Sequence, residues 1–176
     1  MLKLMSWENM WKKYLKNNTM TSIKGIDYKK VNGKNFRIGI VQARWNTTIT
    51  DKLLAGCLQS LASAGVSKKN IFVIDVPGAW ELSLGSKQLI TDKKVDAVIA
   101  LACLLKGETL HFDYVSEATA YGLMRVMLDT NTPVIFGVLP CKDEKQAIAR
   151  STGTNNHGLG WALTALEMAA LRKTKK

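Results

Sequence analysis

The chain reads as an α/β domain: a three-layer sandwich with a four-stranded parallel sheet, helices on both faces, and flavodoxin-like topology. Three observations predict it. Apolar runs rich in β-branched residues lie at 36–42, 71–76, 96–105 and 134–139. Segments with apolar residues at helical spacing separate them. Alternation of this kind builds a parallel sheet whose crossovers carry the helices.

Residues 1–35 read as a basic, partly irregular extension and 36–176 as the folded domain. In the extension, Leu4, Trp7, Trp11 and Leu15 recur at helical spacing among lysines. That pattern suits a basic amphipathic surface helix, an organelle-targeting segment, or an extension ahead of a second start at Met20. Phe36 to Gln42 forms the first strand. A polar turn, Ala43 to Thr48, leads to a helix with Thr48 or Thr50 as N-cap. Its apolar stripe is Leu54, Cys57, Leu58 and Leu61, and Gly65 ends it. Ile71 to Val76 is the second strand. Pro77-Gly78-Ala79 turns the chain into a helix from Trp80 to Leu89. Asp96 to Leu105 is the third strand and Phe112 to Asp129 the third helix. Asn131-Thr132-Pro133 breaks the chain before the fourth strand, Val134 to Leu139. A short helix, Glu144 to Arg150, a polar loop, Ser151 to Gly158, and a last helix, Gly160 to Lys173, complete it.

The net charge of +11 is concentrated in sequence. Residues 1–34 hold eight lysines, and Arg172, Lys173, Lys175 and Lys176 end the chain. No aromatic-basic RNA motif and no helix-turn-helix pattern accompanies them, so they read as solvated tails and not as a nucleic-acid interface. No apolar run is long enough to span a membrane. Cys57, Cys103 and Cys141 are few, odd in number and far apart. They suit neither a disulfide framework nor a metal site, and they suit a reducing compartment such as the cytoplasm.

Parallel strands with right-handed crossovers gather their C-terminal ends on one edge. Four loops meet there: Ala43–Thr48, Pro77–Glu81, Cys103–His111 and Pro140–Glu144. Open α/β sheets bind ligands at such an edge. Lys106-Gly107-Glu108-Thr109-Leu110-His111 is a strand-to-helix turn holding one of the two histidines. An imidazole there takes and returns protons, or caps the helix. Trp45 and Trp80 sit in two of the loops, and Phe136 lies on the fourth strand. Each is a stacking surface for a planar heterocycle, or filling for the core. Arg150 precedes the loop of Asn155, Asn156 and His157, which opens the last helix. It suits a phosphate, or solvent. There is no Walker loop, no GxGxxG after the first strand, and no HExxH or CxxC.

Five segments together resemble the lumazine synthases of riboflavin biosynthesis. They are Ile40-Val41-Gln42-Ala43-Arg44-Trp45-Asn46, Val76-Pro77-Gly78-Ala79-Trp80-Glu81-Leu82, Lys106 through Val115, Pro133 through Leu139, and Ala165-Leu166-Glu167-Met168. The resemblance spans about residues 36–171. It implies condensation of 5-amino-6-ribitylaminouracil with 3,4-dihydroxy-2-butanone 4-phosphate, giving 6,7-dimethyl-8-ribityllumazine, phosphate and water. It also implies no metal or organic cofactor. His111 would transfer protons. Trp45 would stack on the pyrimidine, as in fungal-like members, where many others have Phe. Asn46, Ala79, Trp80 and Glu81 would hold the ribityl chain and ring. Cys103, Leu104 and Leu105 would contact the pyrimidine through the backbone. Glu108 and Thr109 would serve the butanone phosphate. Phe136 and Arg150 would come from a neighbouring subunit, because the family assembles as pentamers or as shells of twelve pentamers. The loop after Arg150 differs in length from the family pattern, and His157 stands where members carry lysine. The other reading of the resemblance is a flavin- or lumazine-binding homologue without catalysis.

Overall fold

The computed structural model describes residues 26–174; the expected pattern over residues 1–19 lies outside them. Four strands form one all-parallel sheet in the order β2-β1-β3-β4. They are β1 (Ile38–Ala43), β2 (Ile71–Val76), β3 (Ala97–Leu105) and β4 (Val134–Cys141). Five α-helices connect and follow them: α1 (Thr47–Ser63), α2 (Leu82–Lys93), α3 (His111–Thr130), α4 (Glu144–Ser151) and α5 (His157–Lys173).

The strand order dictates the layers. The chain leaves β1 toward β2, then returns past β1 to β3 and continues to β4. With right-handed crossovers, this reversal puts α1 on one face and α2 and α3 on the other. The two cores follow. Ile38 and Ile40 of β1 and Ile99 and Leu101 of β3 pack with Leu53, Cys57 and Leu61 of α1 and with Leu166 of α5. On the opposite face, Val41, Val98, Ala100 and Ala102 pack with Leu82 and Leu89 of α2 and Leu123 of α3. The central strands are buried on both faces, so they read as continuous apolar runs.

Leu53 has no exposed surface and joins α1 to β1 and α5. Its truncation leaves a cavity at a three-element junction. We expect Leu53→Ala to cost about 2–5 kcal/mol, measured as a lowered urea midpoint.

Several boundaries differ from the sequence expectation, each for a local reason. The N-cap position of the first helix is Asn46, in the left-handed region (φ 59, ψ 47) and without a side-chain cap bond, not Thr48 or Thr50; asparagine visits that region at low cost. The buried stripe of α1 centres on Ile49, Leu53, Cys57 and Leu61, while Leu54 and Leu58 are only partly buried. The second helix is preceded by a 3-10 turn, Ala79–Glu81, and runs on to Lys93. The last helix begins at His157, not Gly160. Gly158 and Gly160 look like helix breakers in sequence. In the structure the Asn156 side chain caps the helix, accepting from the Gly158 N–H at 2.9 Å and donating to the Lys52 carbonyl at 2.7 Å. Gly158 is required by proximity, since a Cβ there would run into the Leu53 carbonyl.

Part of the positive charge outside the first 25 residues also has a place. Lys68 and Lys69 precede β2, Arg37 precedes β1, Lys93 and Lys94 precede β3, and Arg172 and Lys173 end α5. All lie at the N-terminal edge of the sheet. Lys173 Nζ there bonds Asp96 Oδ2 at 3.0 Å and the Asn35 carbonyl at 3.1 Å. Lys173 therefore joins a surface of the domain instead of trailing as part of a separate tail. That edge is the one away from the loops that follow the strands.

Candidate active site

The strand order reverses between β1 and β3. The loops after these two strands part there and leave a crevice at the C-terminal edge. A cleft of about 720 Å³ occupies it. Its walls are the β1 loop with Trp45 and Asn46, the Pro77–Glu81 turn, the β3 end from Ala102 to Leu105, and α3 with His111, Tyr114 and Val115.

Each wall is held by identifiable bonds. Asn46 Nδ2 donates to the Cys103 carbonyl at 2.9 Å, tying the loop after β1 to the end of β3. Behind it, the buried Gln42 Nε2 donates to Thr50 Oγ1 at 3.2 Å and Asp51 Oδ1 at 2.6 Å. The first turn of α1 is thereby fixed to β1. Glu81 Oε2 accepts the Gly78 N–H at 2.8 Å and closes the 3-10 turn. The buried Thr119 of α3 donates to the Ala79 carbonyl at 3.2 Å.

Trp45 and Trp80 are 71% and 63% exposed. Neither fills the core, and both leave an indole face free at the cleft for a planar ligand. Cys103 offers its backbone and not its side chain. Burial, followed by the influence of Cys141, pushes its thiol up to about 12, so no thiolate forms near neutral pH. Burial likewise raises Cys57 to about 12.

His111 is exposed, is the first residue of α3, and lines the cleft. Its N–H donates to Thr109 Oγ1 at 3.3 Å. The turn before it is anchored at Lys106, whose N–H donates to the Cys141 carbonyl at 3.0 Å and whose Nζ lies 3.4 Å from Asp113 Oδ1. Glu108 and Thr109 lie on this exposed turn, beside the cleft lining. Free backbone amides at the start of α3 and an imidazole beside them suit an anionic or carbonyl-bearing reactant.

Apart from Glu108 and Thr109, on the turn beside the cleft, the sequence-predicted residues fall into two groups. Trp45, Asn46, Ala79, Trp80, Glu81, Cys103, Leu104, Leu105 and His111 share the cleft. Phe136, Arg150 and His157 lie elsewhere. Phe136 is 39% exposed on the edge strand β4. Arg150 and His157 line a separate cavity of about 850 Å³ with Tyr28 and Trp161. Arg150 Nη1 donates to the Gln146 carbonyl at 3.0 Å, and the His157 ring meets Trp161 edge-on at 5.8 Å. The fourth loop, Pro140–Glu144, does not line the cleft; Asp143 Oδ1 there accepts the Gln146 N–H at 2.7 Å and caps α4. Tyr114 and Val115 were not singled out from sequence. Their spacing of three and four residues from His111 on one helix places them on the same face.

The sequence profile described as 6,7-dimethyl-8-ribityllumazine synthase matches residues 35–173. The chain belongs to this family. Relatives bearing that name include one from Pyricularia oryzae, 38% identical, with 85% of this chain and 94% of the relative covered. One from Schizosaccharomyces pombe is 42% identical, covering 84% and 95%. One from Stenotrophomonas maltophilia is 46% identical, covering 77% and 88%. The family match takes in every element from β1 to α5, and so the whole cleft. Among the described residues no helix is long and apolar enough to cross a membrane.

Proposed function

We propose that this chain catalyses the lumazine synthase step of riboflavin biosynthesis. It condenses 5-amino-6-ribitylaminouracil with 3,4-dihydroxy-2-butanone 4-phosphate to 6,7-dimethyl-8-ribityllumazine, phosphate and water. The observation that carries this reading is a family-matched cleft with two exposed indoles and His111 on one wall. A pyrimidine stacks on Trp45, with its ribityl chain along Asn46, Ala79, Trp80 and Glu81. The backbone at Cys103, Leu104 and Leu105 meets the ring edge. The butanone phosphate approaches the amides at Glu108 and Thr109. Imine formation, phosphate elimination and ring closure follow, with His111 as the proton carrier. Holding two reactants in register supplies much of the rate.

The second cavity enters this reading through assembly. Phe136, Arg150 and His157 complete the cleft of a neighbouring subunit in a homopentamer, the unit from which shells of the family are also built. The surface of α3 supports association. Tyr114, Tyr121 and Leu128 recur at seven-residue spacing and are 66%, 66% and 70% exposed, a pattern suited to packing against another helix. Light scattering of the full chain and of a form starting at Met20 measures the state. Cys57, Cys103 and Cys141 are free and buried, which fits a reducing cytoplasm.

Mixing both substrates with the protein and following lumazine fluorescence tests the reaction. Product formation supports it. Quenching of tryptophan emission by riboflavin without product supports a non-catalytic binder instead.

His157 gives the phosphate site a pH dependence. Desolvation, then the charge of Arg150, holds its pKa below the ordinary imidazole value. The neutral ring is therefore favoured as pH rises, and a neutral ring is the weaker phosphate ligand. We expect the Michaelis constant for the phosphate substrate to rise as pH climbs through the lowered His157 pKa, below the ordinary imidazole value of about 6.5. His157→Lys, charged throughout that range, should flatten the profile.

A further inference from the structure

We infer that Thr119 is a positioning residue: it sets the Ala79–Glu81 turn against the helix that carries His111, and so fixes the grip on the pyrimidine substrate. The inference rests on the synthase reading above. Thr119 is 1% exposed and its Oγ1 donates to the Ala79 carbonyl at 3.2 Å. Valine would fill the same volume, so packing alone does not call for a hydroxyl. A buried hydroxyl is tolerated because it is bonded, and this bond joins two walls of the cleft.

The placement on α3 explains why the bond matters. His111, Val115 and Thr119 are spaced four residues apart and lie along one helix face. His111 and Val115 line the cleft, and Thr119 lies one turn further along, against the turn's backbone. The turn itself is closed internally. The Ala79 carbonyl also accepts the Leu82 N–H, and Glu81 Oε2 accepts the Gly78 N–H. Ala79, Trp80 and Glu81 therefore move as a unit. Among the described residues, Thr119 makes the one side-chain hydrogen bond between that unit and α3. The remaining contact, of Ala79 with Val115 and its neighbours, is apolar and has no preferred direction. The helix also packs closely on α2, with Gly122 so near Ser83, two residues beyond the turn, that a Cβ would collide with its hydroxyl. Loss of the Thr119 hydroxyl thus removes the directional bond at the turn while the close packing of α3 on α2 remains.

The test compares Thr119→Val, Thr119→Ala and Thr119→Ser in the assembled protein, with a separate Michaelis constant for each substrate. In Val and Ala the constant for the ribitylaminouracil rises about three- to tenfold, the constant for the butanone phosphate stays within twofold, and Ser restores the native value. Tryptophan quenching by the pyrimidine alone weakens by the same factor. An unchanged pyrimidine constant in Val and Ala overturns the inference. So does an equal change in both constants that tracks a lowered melting temperature, or a failure of Ser to restore. If the unsubstituted protein makes no lumazine, the synthase reading falls, and the quenching series alone decides whether Thr119 holds the turn.

Discussion

His111→Ala lowers turnover by about 10²–10⁴-fold and leaves the fold intact. The loss is large because the reaction passes protons at imine formation, elimination and ring closure. No other imidazole of the same chain lines the cleft. The fold survives because His111 is exposed at the start of α3, and the bond it contributes there is a backbone N–H to Thr109 Oγ1 that alanine keeps. Steady-state kinetics beside a thermal melt separate the two effects. Unchanged turnover would remove the proton-transfer role. A parallel collapse of the melting temperature would make His111 a structural cap.

Arg150→Ala acts on a different quantity. It raises the apparent Michaelis constant for the butanone phosphate by about 10- to 100-fold, the worth of a hydrogen bond to a charged partner. The constant for the pyrimidine stays near its native value. Arg150 is half-buried and already spends one N–H on the Gln146 carbonyl, which orients the guanidinium. Among the described residues its remaining donors have no partner, and a guanidinium fits a phosphate bidentately. An effect confined to the pyrimidine would contradict the assignment.

Much of the fold can be read before any coordinates. The buried central strands appear as unbroken apolar runs, and α3 begins within one residue of its expected start because a polar glycine turn precedes it. β4 runs two residues past its expected end, through Pro140, which is tolerated because β4 is an edge strand. The start of α5 was not legible: two glycines mask a helix whose close contact with Leu53 requires one of them. Nor was the cap of α1, because a left-handed Asn46 leaves no mark in composition. The cleft residues were visible as loops at one sheet edge. The Thr119 bond was not, since a threonine at mid-helix looks the same whether its hydroxyl bonds its own helix or a neighbouring turn. The separation of Arg150 from His111 is expected from the family resemblance alone; composition and spacing carry no sign of it.

The proposed assembly rests on that separation: if Arg150 and His157 serve a neighbour's cleft, each site needs two subunits. Co-assembly of His111→Ala and Arg150→Ala subunits tests it most directly. A cleft with an intact His111 then meets a neighbour with an intact Arg150 at roughly a quarter of the borders in a randomly mixed ring. With butanone phosphate held below its native Michaelis constant, where both variants are slow, the account predicts that the mixture recovers activity well above either variant alone, toward that fraction of the native rate. A mixture no more active than the average of the two variants would contradict it.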